Sequence, residues 1–153
     1  MSNLRESGEN YLENILILQK RNGEVRSVDL AREMDFSKPS VSRAVHLLED
    51  QDMIKIQDDG RIVLTDRGEQ RANEIYAKHI FLTKFFLSIG VPEETAMNDA
   101  CRIEHILSRE TYEKWKAHAD EVFHTSEPEV PLNDDVIFDF NKRALKGEIE
   151  ATH

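Results

Sequence analysis

The chain has 153 residues, 33% of them charged and 39% hydrophobic, with a formal net charge of −10 at pH 7. That length suits one or two small domains with a real core, and no apolar run approaches the length of a bilayer span. Such acidity argues against indiscriminate polyanion binding; recognition of DNA depends on how charge is distributed, and residues 36–48 carry Lys38 and Arg43 with no acid. The single cysteine, Cys101, excludes a disulfide within the chain and suits a reducing interior. The first residues lack the apolar stretch of a secretory signal, so a cytoplasmic location is expected.

Residues 8–20 place Tyr11, Leu12, Ile15, Leu16 and Leu18 at near-helical spacing, which predicts an amphipathic helix stopped by Asn22-Gly23. Ser27 is expected to cap a short helix over 28–34, with Val28, Leu30, Ala31 and Met34 as its buried side. A turn at Asp35-Phe36-Ser37 follows. Ser37 caps a third helix near 38–51, with Pro39 tolerated in its first turn and Val41, Ala44, Val45 and Leu48 as its apolar stripe. Two short alternating segments, 53–56 and 61–64, flank Gln57-Asp58-Asp59-Gly60, a hairpin signal. This order of elements defines a winged helix-turn-helix.

Thr65 is expected to cap a long fourth helix over 66–88. Its second half, from Ile75 to Leu87, is apolar over more than one stripe, which predicts burial on several sides and packing against a partner subunit. Gly90 ends that helix, Pro92-Glu93-Glu94 opens a fifth running to about Leu107, and Ser108 caps a sixth over 109–122. Residues 124–135 read as a loop, and 136–145 as a short amphipathic helix or a wrapping segment before a frayed end. The predicted fold is mainly α with a small β-wing. Residues 1–65 form the winged-helix DNA-binding domain, 66–123 a helical domain for dimerisation, and 124–153 a loop and short helix or tail.

On the fifth helix Cys101, Glu104 and His105 stand at i, i+3 and i+4, so a thiolate, a carboxylate and an imidazole share one helical face. Alone, each has an ordinary explanation: a buried small residue, a surface charge, a satisfied imidazole. Together they admit three readings: core, nucleophile or metal ligands. The nucleophile reading is weak, because no Gly-rich turn or oxyanion arrangement flanks Cys101 and His105, and no enzyme is expected. Asn10 and Glu13 make a second i, i+3 pair on the first helix, and His79 lies among apolar residues of the fourth.

Glu9-Asn10-Tyr11-Leu12-Glu13, Lys78-His79, Ile89-Gly90-Val91 and the run Asn98–Ser108 resemble the diphtheria toxin repressor family of metal-dependent transcriptional regulators, including its manganese-transport-regulator branch. The resemblance runs from about residue 7 to 110. It implies a homodimeric repressor, sensing Fe²⁺ or Mn²⁺ to control metal-homeostasis genes, that binds palindromic double-stranded DNA. It implies metal ligands Glu13, His79, Cys101, Glu104 and His105, with Asn10 as a weak one. Cys101 matches the iron-responsive branch, whereas Glu13 matches the manganese-responsive one. Asn10 departs from both, standing where one has Asp and the other Met. Thr83 and Met97 stand in place of the iron type's second-site ligands, which leaves a two-metal cluster bridged by Glu104 as the manganese-type alternative. The thiolate also tolerates Zn²⁺ and Co²⁺ in the test tube, and it favours iron over manganese.

At the start of the recognition helix Ser37, Lys38, Pro39, Ser40, Ser42 and Arg43 are expected to meet DNA, with Arg43 reading a base edge, Lys38 on phosphate, and Arg61 reaching backbone from the wing. The alternative is a winged-helix regulator answering an organic ligand or a partner, with Cys101 simply packed.

Overall fold

The computed structural model describes residues 4–122 and 134–147. In chain order the elements are α1 (Leu4–Asn22), β1 (Val25–Arg26), α2 (Ser27–Met34), α3 (Lys38–Asp50), β2 (Ile54–Ile56), β3 (Arg61–Leu64), α4 (Asp66–Ser88), α5 (Glu93–Ile103), α6 (Arg109–Val122) and α7 (Asp134–Leu145). Two compact units result: one holds the chain up to Glu74 together with Phe138 onward, the other Ile75 to Ile137.

The first unit carries the winged helix. Ser37 sits in extended conformation before α3, and its Oγ accepts the Ser40 amide at 3.3 Å. Pro39 in that first turn forfeits only an amide that has no helical partner. Val41, Val45 and Leu48 point inward from α3, while Leu30, Ala31 and Met34 do so from α2. Asp35 takes a left-handed conformation (φ 54°) and ends α2. Replacing Ser37 with alanine removes the α3 cap and is expected to cost about 1 kcal/mol, read as a lower urea midpoint with an unchanged slope.

Strands β2 and β3 pair antiparallel, Ile54 opposite Leu64 and Ile56 opposite Ile62, and Gly60 (φ 87°) makes the turn. The sheet has a third strand that residue patterning missed: β1 pairs with β3, giving the order β1-β3-β2. Two residues are too few to show a period of two. Thr65 then opens α4 as expected, its Oγ1 accepting the Gly68 amide at 3.0 Å and donating to the Asp52 carbonyl at 2.7 Å.

Several expectations are corrected. Ser27 is the first residue of α2 and not its cap; the Arg26 amide donates to Asp29 Oδ2 at 2.9 Å, so the carboxylate three residues on reaches back instead. Val28 is 47% exposed, because the inward face of so short a helix is filled by Leu30, Ala31 and Met34. Helix α5 ends at Ile103, four residues early, where the Ile106 and Leu107 amides both turn back to the Ile103 carbonyl. Asp134 and Asp135, expected in a loop, open α7, where their charge suits a helix N-terminus. The remainder of that expected loop and the frayed end lie outside the described residues.

Helix α1 also differs from its predicted single stripe, since every residue from Glu9 to Leu18 is buried, the polar ones included. The stretch of α7 from Phe138 onward covers part of its polar side: the Asn14 side-chain amide donates to the Phe138 carbonyl at 3.4 Å, and Arg21 lies over the Phe138 ring. At its other end Lys146 meets Asp35 at 3.3 Å and stands over the Phe36 ring.

In the second unit α4 presents Phe81, Phe85 and Phe86 to Trp115 of α6, with ring centroids 5.1–6.3 Å apart. Part of the apolar excess of α4, which patterning assigned to a partner subunit, is thus absorbed within the chain. No helix among the described residues is long and apolar enough to cross a membrane.

Candidate metal centre

Three side chains from two helices of the second unit converge in its interior. His79 projects from the middle of α4, Cys101 from the last turn of α5, and Glu104 from the residue that caps it. Glu104 keeps helical backbone angles (φ −56°, ψ −28°) and donates its amide to the Ala100 carbonyl. The i, i+3 relation to Cys101 therefore survives although the helix has ended. Fully buried Ala96 and Ala100 precede Cys101 on the inner side of α5, small residues that permit close approach.

His79 Nδ1 lies 3.2 Å from Cys101 Sγ and 3.1 Å from Glu104 Oε2. All three residues are at most 2% exposed, and their donor atoms lie within 4.8 Å of one another. Two donors each about 2.0–2.3 Å from one ion are themselves about 3–3.7 Å apart, so the spacings suit a shared cation. The chemistry suits it too. A buried thiol, imidazole and carboxylate gain little from packing, and a carboxylate taken out of water needs a counter-charge. The residues fit a divalent metal of the transition series.

His105 approaches the other side of the same carboxylate. Its Nε2 is 3.4 Å from Glu104 Oε1, the other carboxylate oxygen, and its side chain is nearly buried. Glu104 thus presents one oxygen to each imidazole. Lys78, beside His79, turns away to donate to the Leu107 carbonyl at 3.0 Å and so ties down the segment that follows Glu104.

The remaining expected ligands belong to the first unit. Glu13 is completely buried on α1 and Asn10 nearly so, one turn apart on the same side. Two features there had no signature in residue spacing. Arg71 of α4 forms an ion pair with the buried Glu9, and Asn141 of α7 donates its side-chain amide to Glu13 Oε1 at 2.7 Å.

Of the residues expected at DNA, Ser37, Lys38, Pro39, Arg43 and Arg61 are exposed, and Ser40 and Ser42 are half-buried. The Ser37 and Ser40 hydroxyls bond each other at 2.9 Å, so both serve the cap. His46, which the sequence reading passed over, is exposed three residues on from Arg43 and shares its helical face. Arg61 folds back, its Nε donating to Asp59 Oδ2 at 2.7 Å. The Arg61 amide, together with that guanidinium and that of Arg26, holds the Asp59 carboxyl below its ordinary pKa.

A winged helix joined to a helical unit with a buried cysteine–histidine–glutamate cluster describes a metal-responsive DNA-binding regulator. Comparison with known proteins bears this out. Residues 3–61 match the iron-dependent repressor N-terminal DNA-binding domain, and residues 65–125 match the iron-dependent repressor metal-binding and dimerisation domain. The chain belongs to the iron-dependent repressor family of metal-responsive transcriptional regulators. It is 34% identical over 113 residues to the transcriptional regulator MntR of Salmonella typhimurium, covering 74% of this chain and 72% of that one. It is 29% identical over 111 residues to the iron-dependent repressor IdeR of Mycobacterium tuberculosis, covering 72% of this chain and 48% of that one. In fold it is similar to the manganese regulator SloR, with a TM-score of 0.63 at 24% identity over 74% of this chain and 53% of that chain. The crystal structure of T. acidophilum IdeR gives 0.59 at 22% identity over 92% and 79%.

Proposed function

We propose that this chain is a homodimeric repressor whose DNA affinity rises when Fe²⁺ or Mn²⁺ occupies the site built on His79, Cys101 and Glu104. The observation that carries the reading is the convergence of these three buried donors within 4.8 Å. A bound divalent cation supplies the positive charge that lets a thiolate and a carboxylate share one interior. Cys101 would hold it from α5, Glu104 from the cap of that helix and His79 from α4, and His105 adds a donor next to Glu104. With one oxygen facing each imidazole, Glu104 has the arrangement a bridging carboxylate needs if two ions bind.

Glu13 on α1, with Asn10 as a weak neutral donor, contributes ligands from the DNA-binding unit. Ligands drawn from both units make metal uptake restrict the freedom between them. In a dimer this fixes the spacing of the two α3 helices, which has to match successive major grooves, roughly 34 Å or a multiple apart. Differential affinity of the cation for that arrangement becomes DNA affinity through a population shift. At the DNA, Arg43 reads a base edge, Lys38 meets phosphate, Ser37, Pro39, Ser40 and Ser42 shape the contact, and Arg61 reaches backbone from the wing. The operator is palindromic, since a two-fold dimer presents the same surface twice. The chain works as a regulator of the cell interior and not as an enzyme.

The decisive experiment is anaerobic titration of wild type and Cys101→Ser with Fe²⁺, Mn²⁺ and Zn²⁺, following binding to operator fragments selected from random-sequence DNA. Wild type is expected to bind only with metal. Cys101→Ser is expected to move preference from iron toward manganese, because replacing thiolate by hydroxyl hardens the site. Metal-independent binding by wild type would sink the sensor reading.

A further inference from the structure

Helix α7 lies beyond both matched family domains, the second of which ends at residue 125. Its middle carries a polar side chain where an apolar one would be expected. Asn141 is fully buried, close in sequence to the buried Phe138 and Phe140. Burying an amide is costly unless its hydrogen bonds are made. Asn141 spends both of its amide protons on α1: Nδ2 donates to Glu13 Oε1 at 2.7 Å and to Asn14 Oδ1 at 2.9 Å.

The orientation of this amide is determined by its surroundings. Asn14 donates its own Nδ2 to the Phe138 main-chain carbonyl, which can only accept. The Asn14 oxygen must then face Asn141, and so must a Glu13 oxygen, so only the nitrogen of Asn141 can sit between them. A backbone carbonyl of α7 thereby sets Asn14, Asn14 sets Asn141, and Asn141 sets Glu13.

We propose that Asn141 is a positioning residue for the Glu13 carboxylate, through which the C-terminal helix α7 tunes how tightly this chain takes up a divalent cation. The inference rests on the reading of Glu13 as a ligand. Tying Oε1 to a donor fixes the plane of the carboxylate and hence the direction of Oε2. A neutral amide does this without cancelling the negative charge that a cation requires, as a lysine or arginine would. Other contacts flank the donor: Arg21 over Phe138 on one side and, just past the end of α7, Lys146 with Asp35 and Phe36 on the other. Asp35 and Phe36 belong to the turn between α2 and α3, so the segment that orients Glu13 also braces the helix-turn-helix.

The test is a double-mutant cycle on the full chain, measuring Mn²⁺ affinity by competition with a fluorescent chelator. Asn141→Ala is expected to weaken Mn²⁺ binding roughly 10–100-fold, as loss of an outer partner of a metal ligand does. Glu13→Ala should weaken it further, and Asn141→Ala should then add nothing in the Glu13→Ala background. Asn141→Ser, whose hydroxyl can still donate, should recover part of the loss, and it carries the comparison if the alanine variant does not fold. An equal penalty from Asn141→Ala in both backgrounds would show a merely structural role and overturn the proposal, as would failure of both Asn141 variants to fold. Wild-type affinity in Asn141→Ala beside weakened Glu13→Ala overturns this inference alone. Wild-type affinity in Glu13→Ala overturns the ligand reading of Glu13 and this inference with it.

Discussion

Glu104→Gln is expected to abolish metal-dependent DNA binding while leaving the metal-free protein at least as stable as wild type. The substitution keeps the shape and removes the charge of a side chain that is completely buried and faces His79 at 3.1 Å and His105 at 3.4 Å. In the metal-free protein a buried carboxylate carries a larger desolvation cost than an amide. If Glu104 is a ligand, as proposed, the balance reverses with metal, because its charge is part of what attracts the ion. Metal affinity should fall by more than the roughly 10–100-fold that an outer-shell loss costs. Thermal unfolding reads both signs at once. Wild type should gain about 2.7 kcal/mol at metal a hundredfold above its Kd, and Glu104→Gln should gain almost nothing. A metal-dependent rise in Tm equal to that of wild type would show that Glu104 is not a ligand.

The largest effect on folding is expected from Gly68→Ala. Gly68 sits in the first turn of α4, where its amide meets Thr65 Oγ1. A Cβ there would lie 1.8 Å from the Met53 carbonyl oxygen and 2.8 Å from its carbon. The obstacle is backbone, and that same oxygen accepts the Thr65 amide at 3.1 Å, so it cannot yield without undoing the junction of hairpin and helix. The alanine that normally strengthens a helix should here cost more than about 4 kcal/mol, in the range kept for severe steric conflict. Urea denaturation followed by circular dichroism checks this. Gly8→Ala is the control, since its Cβ would meet only the Leu48 side chain at 3.6 Å, and it should be neutral or mildly stabilising.

Residue patterning located most elements because their signals are local. Ser37, Thr65 and Ser108 each accept the amide three residues on, and Gly60 and Gly90 take the positive φ that their turns require. It missed β1, whose two residues find their strand partner in β3 some 35 positions later, and it gave Val28 an inward place that its neighbours fill. It ran α5 four residues too far, because Cys101, Glu104 and His105 keep helical spacing whether or not the hydrogen bonds continue.

By itself the sequence determined the order of the helices, the hairpin, and the juxtaposition of Cys101 with Glu104, since all of these depend on chemistry within about four residues. Residue patterning singled out Glu13 and His79 as candidates, but only resemblance to a family joined them to Cys101 and Glu104. Only the packing of α4 on α5 brings His79 within 3.2 Å of Cys101, across 22 positions. Only the docking of α7 on α1 gives Glu13 its amide donor, across 128 positions. Such pairings leave no local trace, because burial selects them: an interior polar group must find a partner, and the fold decides which one is near.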